Sequence, residues 1–398
     1  MINEKMRTLG ARRSVIREIF EYGKKRKMEI GSENVYDFSL GNPSVPAPEC
    51  VSENLLSLIN REDPIVLHGY TSAQGDLEVR AAIAKHIKDN HEVESNPDCI
   101  YMTVGAAAAL TASLTALVNP GEEVIVPAPY FPEYKVFIER CGGICKEVMC
   151  CEGTFQLDIN KIRSLINEKT AAIIINSPNN PTGAVYTEEN IKALCGMLKD
   201  KGNELGKVIY LISDEPYREL IYGNVNVPYI PKYYRDTIVS YSFSKSLSLP
   251  GERIGYIFVP PCIKDFDAVY QAICGAGRAL GFVCAPSMLQ KLVKQCLGVT
   301  SDISVYAKNR QLLLDALNEY GYETVKPDGA FYLFVKALED DANKFAERAK
   351  EFELLLVPSD DFGCKGYVRI SYCVKTEQII SALPAFKSLA EAYGKVKK

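Results

Sequence analysis

Short and nearly continuous apolar runs recur along the chain: IYMTV (100–104), EVIVP (123–127), AAIIIN (171–176), VIYLIS (208–213), TIVSYS (237–242) and GYIFV (255–259). They are rich in β-branched residues and do not alternate with polar ones. That pattern predicts strands buried on both faces, as in a parallel sheet covered by helices. Between most of them lie Ala/Leu-rich or amphipathic stretches of helical length, such as AAAALTASLTAL (106–117) and EENIKALCGMLKDKG (188–202). Strand–helix alternation of this kind predicts an α/β domain with a mostly parallel sheet, placed at residues 46–290. The tail is patterned differently. AKNRQLLLDALNEYG (307–321) reads as a helix, while GAFYLFVKA (329–337), ELLLVPS (353–359) and YVRISYC (367–373) read as strands. EQIISALPAFKSLAEAYGK reads as a closing helix. Residues 291–398 are therefore expected to form a smaller α+β domain. Residues 1–45, with SVIREIFEYGKKR as a helix, form an arm that packs with it.

Composition narrows the function classes. The 398 residues are 47% hydrophobic with a formal net charge of -4, which offers no electrostatic case for nucleic acid or an anionic membrane. The start MINEKMRTLG lacks the apolar core of a secretory signal, and VGAAAALTASLTALV is too short to span a bilayer. Thirteen cysteines, an odd number scattered over the chain, read as reduced thiols of a cytoplasmic protein. Cys141, Cys145, Cys150 and Cys151 lie close together but have no histidine nearby and no CxxC spacing, so no metal site is expected. A Ser-His-Asp hydrolase would have to use one of only three histidines, and no GxSxG elbow accompanies them.

Ligands of open α/β sheets bind beyond the carboxyl ends of the strands, so the residues at those exits matter most. After IYMTV comes Gly105 and a helix start. SPNNPTG follows AAIIIN, DEPY follows VIYLIS and FSKS follows TIVSYS. Taken singly, each has an ordinary reading. Gly105 opens a helix, NNPTG makes a turn, Asp214 either caps the next segment or faces a cation, and Lys245 is a surface lysine.

Together, NNPTG (179–183), DEPY (214–217), SFSKSLSLPGERIGY (242–256) and VRISYC (368–373), in this order, resemble the class I and II aminotransferases. These are pyridoxal-phosphate enzymes of fold type I, the aspartate aminotransferase superfamily. The resemblance runs from SLGNPSVPAP (39–48) to VRISYC. It implies a large domain with a mostly parallel, seven-stranded sheet covered by helices, plus the smaller α+β domain. It implies pyridoxal 5'-phosphate as cofactor and a homodimer with shared active sites. The cofactor aldehyde needs a lysine with a lowered pKa, which the resemblance assigns to Lys245. The pyridine nitrogen needs a carboxylate, assigned to Asp214. Asn180 and Tyr217 face the ring oxygen. Arg253, Ser242, Ser244 and the amides of Gly105, Ala106 and Ala107 hold the phosphate, with Tyr70 reaching in from the partner subunit. Phe131 matches the aromatic that stacks on the ring, with Tyr130 as the neighbouring alternative. The substrate α-carboxylate falls to Arg369, with Gly41 opening the turn beside it and Asn180 contributing.

The implied activity is ping-pong transfer of an amino group between an L-amino acid and a 2-oxo acid, with aspartate, glutamate or a broad set of alanine and aromatic donors. The phosphate turn departs from the family pattern. Ala106 and Ala107 stand where many members have Ser, Thr or Lys, so the lysine that reads a distal carboxylate in one branch is missing. Arg278 is the candidate replacement, with Arg13 second. A β-lyase acting on cysteine conjugates would use the same residues, and a non-catalytic PLP-binding regulator is the remaining alternative.

Overall fold

A computed structural model describes residues 2–11 and 14–395. In chain order its strands are β1 (Tyr36–Asp37), β2 (Ile100–Thr103), β3 (Glu123–Ala128), β4 (Ile144–Met149), β5 (Thr170–Asn176), β6 (Tyr210–Asp214) and β7 (Thr237–Ser242). They continue with β8 (Gly255–Phe258), β9 (Thr324–Val325), β10 (Tyr332–Lys336), β11 (Leu354–Leu355), β12 (Val357–Pro358) and β13 (Tyr367–Ser371). A seven-stranded sheet runs in the order β2-β8-β7-β6-β5-β3-β4. A four-stranded sheet runs β12-β13-β10-β9, and β1 pairs in parallel with β11.

The fully buried strands of the large sheet behave as their apolar runs predict. Every residue of β2, β3, β5, β7 and β8 is buried. One reading needs correcting. GYIFV looks like its parallel neighbours in sequence, yet β8 runs antiparallel to both β7 and β2. Burial on both faces imposes the same apolar run whichever way a strand points. The reversal has a consequence for the site, because the start of β8, just after Arg253, lies at the same sheet edge as the exits of β2, β5, β6 and β7.

The edge strand β4, ICKEVM, is largely solvent-facing and was absent from the sequence reading. ELLLVPS, read as one strand, is split: Leu354–Leu355 joins β1, and Val357–Pro358 pairs with β13. Helix Val15–Ile30 begins at an N-cap, Ser14, whose side chain accepts from the Arg17 amide. Helix Ala106–Leu117 is buried along most of its length, which explains why it has no polar face. The cysteines are free thiols. Among the described residues no helix is long and apolar enough to cross a membrane.

Candidate active site

The exits of the large sheet surround a cavity of about 290 Å³ that also receives β10, β13 and the N-terminal segment. Asp214, the last residue of β6, is 4% exposed at the cavity wall. Its Oδ2 accepts a hydrogen bond from Tyr134 Oη at 2.5 Å, whereas Oδ1 is buried and has no partner. Burial pushes the carboxyl up to about 7, against the opposing effect of the Tyr134 hydrogen bond and with Glu215 adding to the rise. Oδ1 is thus a carboxylate oxygen held out of water and waiting for a donor or cation. A cation there would restore the charged form.

Lys245 sits in a single helical turn, Phe243–Ser246, directly after β7. Ser242 caps that turn by accepting from the Ser244 amide, and its hydroxyl lies 2.6 Å from that of Ser244. The Lys245 amine donates to the Gly41 carbonyl at 2.6 Å. Burial lowers its pKa to about 8, with Cys373 opposing and Arg253 and Arg369 reinforcing the fall. A substantial fraction of the amine is therefore neutral near physiological pH, the form that attacks a carbonyl carbon.

Between the Gly105 backbone and Arg253 there is little room. Gly105 has φ +87, and a Cβ there would lie 2.9 Å from Arg253 Nη2. Glycine meets both demands, positive φ and close approach. The next residues, Ala106 and Ala107, open a helix whose first amides have no helical acceptor. These amides, Ser242, Ser244 and Arg253 line one end of the cavity, an arrangement suited to a phosphate group.

At the other end Arg369, 2% exposed, comes from the centre of the small sheet. Its Nη1 donates to Asn180 Oδ1 at 3.0 Å and its Nη2 to the Ser39 carbonyl at 2.6 Å; Nε has no partner. The guanidinium lies 4.6 Å from the Tyr332 ring centroid and 5.2 Å from that of Phe362. Burial pushes its pKa down, so an incoming carboxylate would offset a desolvation already incurred. Asn180 is fixed from behind by its amide donating to Asn176 Oδ1 at 2.7 Å. Tyr217 and Tyr332 share a 2.9 Å hydroxyl contact, and burial keeps Tyr217 in its phenol form.

A family model for class I and II aminotransferases matches residues 32–386. The chain belongs to this family. The enzyme is similar to a solved aminotransferase of Eubacterium rectale, with TM-score 0.97, 53% identity and 99% of each chain covered. It is also similar to aspartate aminotransferase of Thermotoga maritima, 31% identical over 88% of this chain and 90% of that one. A third relative is the Thermus thermophilus aspartate aminotransferase solved with maleate, with TM-score 0.86, 27% identity and coverage of 98% and 100%.

Of the residues singled out from sequence, Gly41, Ala106, Ala107, Phe131, Asn180, Asp214, Tyr217, Ser242, Ser244, Lys245, Arg253 and Arg369 meet at this one cavity. Gly105 lies against Arg253 at its edge. Two do not reach it within the chain. Tyr70 is 98% exposed, and Arg278 is exposed in the last turn of helix Phe266–Leu280. Arg13 lies outside the described residues. Sequence reasoning missed Tyr134, Tyr332, Phe362 and the Ser39 carbonyl. Tyr134 stands in YFPEY, three residues after Phe131, but nothing in that string announces its bond to a carboxylate 80 residues away.

Proposed function

We propose that this aminotransferase binds pyridoxal 5'-phosphate covalently through Lys245 and transfers an amino group from an L-amino acid of the aspartate type to a 2-oxo acid, in two half-reactions. The observation that carries the reading is Asp214 Oδ1. It is a buried carboxylate oxygen without a partner, in a cavity that also holds a lysine amine and two arginines. That donor set fits a group with a ring cation, an aldehyde and a phosphate. When bound, pyridoxal phosphate supplies the electron sink that makes removal of the donor's Cα proton feasible.

The chain supplies the rest. Asp214 opposes the ring nitrogen and keeps it protonated, and Tyr134 holds the Asp214 carboxylate in place. Asn180 and Tyr217 donate toward the ring oxygen, and Phe131 covers one ring face. Arg253, the two serines and the amides of Gly105, Ala106 and Ala107 anchor the phosphate. The Lys245 amine would hold the cofactor aldehyde and, in its free neutral form, would take up and give back the donor's Cα proton. Arg369 clamps the α-carboxylate with its forked donors, beside the backbone at Gly41.

The cations lining the cavity among the described residues are Lys245, Arg253 and Arg369, each with a role already. A distal carboxylate therefore needs a cation from elsewhere. The exposed positions of Tyr70 and Arg278 suit a homodimer in which the partner subunit's Tyr70 reaches the phosphate and the partner subunit's Arg278 reads the distal group. Support for an acidic donor comes from the relatives named aspartate aminotransferase and from the maleate in one of their structures. The test is a panel of amino donors, with and without a 2-oxo acid acceptor, on the cofactor-loaded protein. Aspartate is expected to turn over fastest, and only with an acceptor. Release of ammonia and pyruvate without an acceptor would overturn transfer in favour of β-elimination.

A further inference from the structure

The two segments that carry the reacting groups have backs as well as fronts. Asp214, Pro216 and Tyr217 face the cavity described above, as do Ser242, Ser244 and Lys245. The intervening residues face a second cavity of about 230 Å³ on the opposite side. From the first segment it receives Glu215, Arg218 and Glu219, and from the second Tyr241, Phe243 and Ser246. Its lining mixes aromatic rings with charged side chains.

Glu215 and Arg218 pair at 2.5 Å, and the remaining Arg218 donors go to the carbonyls of Val227 and Pro228. Glu219 makes no ion pair among the described residues, although the Arg218 charge acts on it. Its Oε1 accepts from Tyr241 Oη at 2.9 Å, and its Oε2 is buried with no partner. Tyr241 Oη also lies 3.1 Å from Ser246 Oγ, and the Tyr241 ring stacks on Tyr256 at 4.9 Å. Tyr241 Oη donates its hydrogen to Glu219 Oε1. Tyr241 is then left to accept from Ser246. The neighbouring Ser246 carbonyl is taken by the Ser301 amide at 2.7 Å.

We infer that Glu219 and Tyr241 are positioning residues. The chain Glu219–Tyr241–Ser246 ties the segment bearing Asp214 and Tyr217 to the turn bearing Lys245, and so sets the amine's place relative to the ring. Neither residue touches the front cavity, so they act through Lys245. The inference rests on the role proposed for Lys245. Loss of reach at a reacting group held slightly out of place is large for so small a displacement.

The test uses Tyr241→Phe, Glu219→Leu, Glu219→Gln and Ser246→Ala. In the cofactor-loaded enzyme, Tyr241→Phe and Glu219→Leu are expected to lower kcat about 10-fold while KM for the donor moves less than about 2-fold. Glu219→Gln retains an acceptor and is expected to stay within about 3-fold of wild type. Ser246→Ala, the mildest packing change, should show the same kcat-selective loss even if a larger substitution fails to fold.

A second readout uses the cofactor-free protein: the pH at which Lys245 reacts half-maximally with an amine-specific reagent, located by peptide mapping. Wild type should respond at about pH 8. Tyr241→Phe should respond at higher pH, because a loosened turn lets the amine reach water, while its charged or titratable neighbours Cys373, Arg253 and Arg369 are unchanged. Variants matching wild type in both kcat and labelling pH overturn the inference. A wild-type protein that transfers no amino group overturns the proposed function instead, and the labelling arm still decides the positioning.

Discussion

The two ends of the front cavity are built in different ways. The end holding Asp214 and Lys245 is made from exits of neighbouring strands in one sheet, β6 and β7, whose register is set by a continuous ladder. The end holding Arg369 is an assembly. Its donors reach Asn180 from a large-sheet exit and Ser39 from the N-terminal segment, and its flanking rings come from Tyr332 and Phe362. The backbone of the first end therefore belongs to the sheet's own folding, with the Lys245 amine reaching the Gly41 carbonyl of the N-terminal segment, whereas the second end exists only once three distant stretches of chain have docked. On the proposed function, chemistry common to every donor would sit on the rigid end, and recognition of the substrate carboxylate would sit where pieces meet.

This contrast can be broken by substitution. Lys245→Ala should remove the proton-moving group and lower turnover by about 10⁴-fold for every donor alike. Borohydride reduction followed by peptide mapping should find the cofactor attached at residue 245 in wild type, and attachment at another lysine would end the assignment. Asp214→Ala should slow proton abstraction by about 10³-fold in a single half-reaction, again regardless of donor. A single-turnover rate within about threefold of wild type, under roughly 1 kcal/mol, would show that the rigid end does not hold the ring nitrogen.

At the assembled end, Arg369→Lys keeps a charge but loses the fork. We expect kcat/KM to fall about 10²-fold, about 2.7 kcal/mol, chiefly through KM. Equal effects on kcat and none on KM would erase the distinction between the two ends. The smallest effect sharpens it. Arg278→Ala should lower kcat/KM for aspartate by about 30-fold, about 2 kcal/mol, and leave alanine nearly unchanged. Equal losses for both donors would confine the recognition end to a single subunit.

Sequence alone made the rigid end more legible than the assembled one. TIVSYS was bounded to the residue as β7, and AAAALTASLTAL as its helix, because full burial leaves an unbroken apolar signature. Lys245 and Asp214 follow such runs directly, so their placement came with the strands. β4 escaped notice because an exposed edge strand tolerates Lys146 and Glu147. The direction of β8 was invisible for the reason already given. ELLLVPS misled because two short pairings with different partners read as one apolar run. Tyr134 and Tyr332 were unreadable for a different reason. A buried tyrosine resembles any other core aromatic until the group its hydroxyl meets is known.

The short strip from Phe38 to Gly41 carries a consequence for chain length. Four successive carbonyls each accept from a different donor: Phe38 from the Ser371 amide, Ser39 from Arg369, Leu40 from the Cys373 thiol and Gly41 from Lys245. Surface connections ordinarily absorb an inserted or deleted residue with little harm. Here a shift of one position would hand every carbonyl to the wrong donor, and both ends of the cavity would lose a support in the same event. The side chains are held as tightly as the count of peptide units: Phe38 and Ser39 are fully buried, and a Cβ on Gly41 would collide with the Tyr332 hydroxyl.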